Sequence, residues 1–126
     1  MSQDIASLSS TGGANTLFLK LMDSFDQKRQ QLADRIYSIN DRDFGTVAID
    51  IWKYQYTNNE VYRTYCDLLG RNETPADILQ IPFLPIIMFR EHEVKTGQWH
   101  SESVFRSSGT TDASPSRHHI KSLTWY

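Results

Sequence analysis

The sequence predicts an α+β chain in which N-terminal helices are followed by a strand–loop–helix unit. Three observations predict it. Apolar residues recur at helical spacing through the first part of the chain. Two prolines, Pro82 and Pro85, then interrupt an apolar stretch. Beyond them Val104-Phe105-Arg106 feeds directly into a cluster of Ser, Thr and Gly, after which apolar residues resume at helix-like intervals. The expected organisation is a flexible tail over 1–15, a helical region over 16–80 and an α/β portion over 81–126.

The tail is expected because Ser9-Ser10-Thr11-Gly12-Gly13 is small, polar and of low complexity. A long helix over about 16–39 follows from Phe18, Leu21, Met22, Phe25, Leu32, Ile36 and Ile39, which share one helical face. Only about three heptads are present, so a core-facing amphipathic helix is favoured over a coiled coil. Asn40-Asp41-Arg42-Asp43 breaks this helix. Val47, Ile51, Tyr54 and Trp52 suit a second one from Phe44 to Tyr56. Asn58-Asn59 reads as a turn and cap. A third helix over Glu60 to Leu69 carries Val61, Tyr65, Leu68 and Leu69 on one side, and Gly70 is its C-terminal stop. Thr74-Pro75 is expected to open a short helical turn, with Thr74 as N-cap. Because proline lacks an N–H, Ile81–Phe89 is expected to be extended, as an edge strand at most. Val104–Arg106 is a short strand. Arg117 to Tyr126, with Ile120, Leu123 and Trp125 apolar, reads as the start of a helix.

Composition narrows the function. The chain has 126 residues, with 13 Lys+Arg against 15 Asp+Glu and a formal net charge of -2, which argues against a nucleic-acid-binding surface. The hydrophobic fraction of 39% is too high for wholesale disorder and supplies a core. The longest apolar run, Ile81–Phe89, is far short of the roughly 20 residues a membrane helix needs. No secretory leader is visible, so the expected compartment is the cytoplasm. One cysteine, Cys66, excludes an intrachain disulfide and a cysteine metal cage, and reads as a buried, inert small hydrophobe. His92, His100, His118 and His119 match no helical metal-binding spacing, so no metal site is expected. The aromatics Trp52, Tyr54, Tyr56, Tyr62 and Tyr65 are not interleaved with basic residues and read as core rather than base-stacking platforms. No catalytic residue is assigned.

Ser107-Ser108-Gly109-Thr110-Thr111 is the most informative motif. Small residues let a backbone approach an anion, successive N–H groups form a nest, and hydroxyls add donors. A helix beginning just afterwards would add its positive end. The arrangement suits phosphate oxygens, although the Gly-Lys-Ser/Thr of a P-loop is absent. Read alone, such a cluster is also an ordinary linker.

The surrounding residues resemble one family in order and spacing. Ile81-Pro82-Phe83-Leu84-Pro85-Ile86, Phe89-Arg90-Glu91-His92-Glu93-Val94, Phe105–Thr111 and Pro115-Ser116-Arg117-His118 look like the acyl-protein synthetases of the LuxE type, the long-chain fatty acid luciferin-component ligases of bacterial bioluminescence operons and their relatives. Tyr56-Thr57-Asn58-Asn59 and Tyr62-Arg63-Thr64-Tyr65-Cys66 resemble that family's helical region. The resemblance covers residues 44–126. It implies kinship with the adenylate-forming, AMP-binding enzymes, which activate a carboxylic acid with ATP and Mg²⁺ as acyl-AMP and pass the acyl group to a protein thiol. It further implies that Ser107, Ser108, Gly109, Thr110 and Thr111 grip phosphate, with Arg117 offsetting charge and His118 lining the pocket. The implied partners are a fatty acid or other carboxylic acid and an acyl-accepting protein, such as a reductase-type subunit. In the broader superfamily Gly usually follows the Thr-Thr pair and Lys often follows the Pro; here Asp112 and Ser116-Arg117 stand there.

A family member is about three times as long. The resemblance leaves no residues here for the adenine pocket, the downstream acidic motif, the catalytic Lys or the acceptor Cys. The expectation is therefore an N-terminal fragment of such a ligase, an incomplete piece of an adenylate-forming large domain. Two alternatives stay open: a non-enzymatic small helical module in which the Ser/Thr loop is structural, and one half of a split synthetase.

Overall fold

The computed structural model describes residues 2–108 and 114–125. The chain divides into two units, Met1–Ile39 and Asn40–Tyr126. It is α+β, as the sequence predicts: helices come first and a two-stranded antiparallel sheet follows.

The first unit holds α1 (Ser2–Tyr37). It includes residues 2–15, set apart above as a tail, and joins them to the expected helix. Once a helix is nucleated, each added residue gains a hydrogen bond at little cost, so a weak segment can continue a strong one. The apolar stripe is not covered along its length: Phe18 and Leu21 are 59% and 63% exposed. At its end the Ser38 hydroxyl donates to the Asp34 carbonyl at 3.0 Å.

In the second unit Asn40 makes the break. Its Oδ1 accepts from the backbone N–H of Arg42 and Asp43, and its Nδ2 donates to Asp43 Oδ2. That side-chain turn launches α2 (Phe44–Asn58). Asn59 then separates α2 from α3 (Glu60–Leu68). Its own N–H reaches the Gln55 carbonyl at 2.8 Å, while its Oδ1 accepts from Tyr62 N–H at 3.0 Å. One asparagine thus closes one helix and opens the next, as its position suggested. Gly70 ends α3 at φ 65, where only glycine is unstrained. Arg71 N–H bonds to the Cys66 carbonyl and Gly70 N–H to that of Asp67, the paired bonds of a Schellman cap.

The core lies between these helices. Trp52, Tyr62 and Cys66 are buried, and Tyr56, Ile81 and Leu84 pack against them. Trp52 and Tyr56 stack with centroids 5.0 Å apart. Cys66 is fully buried, as expected, and burial pushes its thiol pKa up.

Three local expectations are corrected. The helical turn after α3 is Ile78–Gln80, and its cap is Asp77, whose side chain accepts from Leu79 N–H at 2.8 Å, rather than Thr74. Ile81–Phe89 forms no strand. It leaves Ile81 with an extended backbone and runs on without regular structure to Pro85, held by the Tyr62 hydroxyl donating to the Pro82 carbonyl at 2.6 Å and by Ile81 and Leu84 packed against the core. After Pro85 it turns into the four-residue α4 (Met88–Glu91). With prolines removing ladder donors, burial and one side-chain bond fix this segment instead.

The third correction matters most for function. Val104–Arg106 is a strand as expected, within β1 (Ser103–Arg106). The segment expected to be a helix after the loop is instead β2 (Arg117–Ile120), paired antiparallel with β1. A lone strand leaves its backbone groups unpaired, and 117–120 is the segment that satisfies them. Ile120 is buried in the process. The predicted strand–loop–helix is a strand–loop–strand hairpin. Among the described residues no helix is long and apolar enough to cross a membrane.

Candidate functional site

The hairpin register pairs Ser103 with Ile120, Val104 with His119, Phe105 with His118, and Arg106 with Arg117. Alternation along each strand sorts these side chains onto two faces. Phe105, His118 and Ile120 lie on one. Val104, His119, Arg106 and Arg117 lie on the other. On the first face α4 meets β2, and Phe89 stacks on the His118 ring at 4.8 Å and 28°.

Ser107 and Ser116 continue the ladder beyond Arg106 and Arg117 as the root of loop 107–116, and this root is pinned twice. Ser107 N–H donates to the Ser116 carbonyl at 3.1 Å. Ser107 Oγ accepts from Ser116 N–H at 3.0 Å and from the Ser116 hydroxyl at 2.9 Å. Both Ser107 lone pairs are then used, and its own O–H hydrogen is left to donate. Ser116 Oγ also meets His118 Nε2 at 3.2 Å. A hydroxyl has one hydrogen, so while Ser116 donates to Ser107, His118 Nε2 is the N–H donor to Ser116. Ser116 is 3% exposed, and the chain Ser107–Ser116–His118–Phe89 ties the loop root to α4.

Of the residues expected to grip phosphate, the structure brings Ser107 and His118 into one network through Ser116. Ser108 is exposed, and Arg117 is exposed beside the loop root. Gly109, Thr110 and Thr111 lie outside the described residues, as does Asp112. Because the segment after the loop is β2, the helix expected to begin there, and with it the positive helix end expected from the sequence, does not form at Arg117–Ile120. Ser116, Phe89 and Arg106 stand in the motifs quoted above, but the sequence assigns them no role at the site. A strand reading of 117–120 would have found all three, since it places Ser116 opposite Ser107, His118 over α4 and Arg106 opposite Arg117.

The exposed face carries charge. Glu93 pairs with Lys95, and that partner, aided by His119 and Arg117, holds the Glu93 carboxyl below its usual range. His119 Nδ1 lies 2.8 Å from Ser101 Oγ. The segment leading to β1 is secured to the α2–α3 junction, since Asn59 Nδ2 donates to Thr96 Oγ1 at 3.2 Å, Thr96 bonds Gln55, and Gly97 N–H reaches the Asn58 carbonyl. Among the described residues there is no cluster of three His, Cys, Asp or Glu side chains able to hold a metal ion. An open polar groove of about 380 Å³ lies along residues 70–75 and Gln80, and includes none of the residues expected at the loop.

No family model and no solved structure matches the chain. A curated relative, the long-chain-fatty-acid–luciferin-component ligase of Vibrio harveyi, is 36% identical over 61 residues. The alignment covers 48% of this chain and 16% of that ligase, so the chain spans a small part of the relative's length. Over about half of its residues, this chain is similar to a segment of a fatty-acid ligase.

Proposed function

We propose that this chain is part of an ATP-dependent acyl-protein synthetase-like ligase, and that the loop at the end of the hairpin is its phosphate grip. The 36% identity to the Vibrio harveyi ligase carries the reading. The pinned loop root adds support, because an anion nest needs a backbone held in place before the ligand arrives. In the proposed reaction a fatty acid carboxylate attacks the α-phosphorus of ATP, the bond to the β-phosphate oxygen breaks, and pyrophosphate leaves. The acyl group of the acyl-AMP then passes to a protein thiol, and AMP departs.

This chain's share is binding. The Ser107 O–H is positioned at the loop root as a donor, and Arg117 supplies positive charge next to it. His118, held between Phe89 and Ser116, fixes the root rather than offering a free base. Mg²⁺ would neutralise phosphate charge when it arrives with the nucleotide; the described residues offer no cluster of their own for it. Cys66 is fully buried and is not proposed as an acyl acceptor.

Calorimetric titration of the chain with ATP–Mg²⁺ tests the reading. Weak binding that disappears in Gly109→Val is expected; tight binding unchanged by that substitution rejects the loop. The chain alone is expected to show no fatty-acid-dependent ATP–pyrophosphate exchange. A second reading, a small helical module with a structural loop, is favoured by the mutual bonding of Ser107 and Ser116, and absence of any nucleotide binding would select it.

A further inference from the structure

The last cross-strand pair before the loop joins two like charges. Arg106 stands directly opposite Arg117. The neighbouring pair, Ser107 and Ser116, is joined through the Ser107 N–H. In an antiparallel ladder hydrogen-bonded and non-hydrogen-bonded pairs alternate, so Arg106 and Arg117 form a non-hydrogen-bonded pair. In such pairs the Cα atoms approach to about 4.5 Å and the side chains run closest together. Both arginines are exposed and share the face away from α4. Among the described residues neither guanidinium has a carboxylate within ion-pair distance. Glu93, the acidic group whose titration senses Arg117, is already occupied by Lys95.

Like charges directly opposite weaken a sheet, and this one has four cross-strand pairs to spend. A dianionic or more highly charged oxyanion between the guanidiniums reverses the sign of that interaction. Each planar fork presents parallel N–H donors; a carboxylate can satisfy one fork, whereas the two phosphoryl groups of a diphosphate offer each fork its own pair of terminal oxygens and carry more charge than a single phosphate. We propose that Arg106 and Arg117 form a cross-strand clamp for a diphosphate group beside the Ser107–Ser116 root. The ligand class rests on the phosphate reading of the loop; the residues rest on the hairpin register.

The test is calorimetric titration of inorganic pyrophosphate into the 126-residue chain at low ionic strength. Arg106→Gln and Arg117→Gln are each expected to weaken binding about tenfold. The double variant should lose little beyond either single one, because one fork cannot clamp alone. Pyrophosphate binding unchanged in Arg106→Gln overturns the clamp, and if Gly109→Val then abolishes binding the loop survives without it. Loss in Arg106→Gln with Gly109→Val unaffected keeps the clamp and rejects the loop. Amide exchange at Ser107 without ligand provides a check on folding. Arg106→Gln should slow it by relieving repulsion; faster exchange makes Arg106 a structural support of the hairpin and overturns the proposal.

Discussion

Around Cys66, α2 and α3 meet through large side chains: Trp52 is stacked on Tyr56, Tyr62 is buried beside them, and Ile81 and Leu84 fold over from the proline-containing segment. The β1–β2 hairpin has little of this. Val104 and Phe105 are exposed, and Ile120 is its buried apolar residue. Polar bonds at Ser107 and Ser116 and one ring stack, Phe89 on His118, hold its loop end. Burial of apolar area is non-directional and tolerates rearrangement, whereas a hydrogen-bonded root fixes position at small energetic gain. The helical pair therefore supplies stability, and the polar bonds of the hairpin fix the placement of the loop root.

Three substitutions or conditions would sharpen or break that contrast. The largest effect is expected for Trp52→Ala, which removes the stack with Tyr56 and opens a cavity beside Cys66. A loss of about 3–5 kcal/mol is expected in denaturant unfolding; a loss below about 1 kcal/mol would mean that the core is centred elsewhere. Ser116→Ala should act locally. It breaks the links to Ser107 Oγ and His118, and should speed amide exchange at Ser107 about tenfold while barely moving the global midpoint. A global shift as large as that of Trp52→Ala would show the two regions unfolding as one unit.

The smallest effect concerns pH near 9. Burial raises the Cys66 thiol above its ordinary value of 9.0. Above that value the unfolded chain releases the proton first, so the native state holds more protons and stability falls as pH rises. The contribution is fully present below pH 9 and is lost as pH passes through the raised value. Tyr62, whose phenol burial also raises, adds in the same direction above 10.0. Stability measured across this range should decline, and Cys66→Ala should remove the earlier part of the slope. A flat profile for the unsubstituted chain would contradict the buried thiol.

Local chemistry made much of the helical part legible. Asn59 and Gly70 mark helix boundaries by properties they carry wherever they sit: a short side chain that caps and a backbone that accepts positive φ. Cys66 is legible as core from its residue type, and Trp52 from an aromatic set with no basic residues interleaved. Before Ile81, Thr74-Pro75 and Asp77 both carry capping chemistry, so the sequence points to a turn a few residues ahead of the one that forms; Asp77 is the one whose side chain reaches a free N–H. At the candidate site the Ser/Thr/Gly motif was visible, and so were Arg117 and His118. What they face was not, because Ile120, Leu123 and Trp125 fit a helical interval as well as a strand followed by a turn.

The sequence by itself determined the α+β class, the helix boundaries near Asn40, Asn59 and Gly70, the burial of Cys66 and the short strand at 104–106. These follow from side-chain size, backbone freedom and local hydrogen bonding, all of which act within a few residues. Only the tertiary structure decided that 117–120 is a strand, that Ser116 locks the loop root, and that Arg106 stands opposite Arg117. The reason is that a strand acquires its hydrogen bonds from a segment distant in sequence, here from Ser103 opposite Ile120 to Arg106 opposite Arg117, so its identity and register are properties of a pairing rather than of either segment.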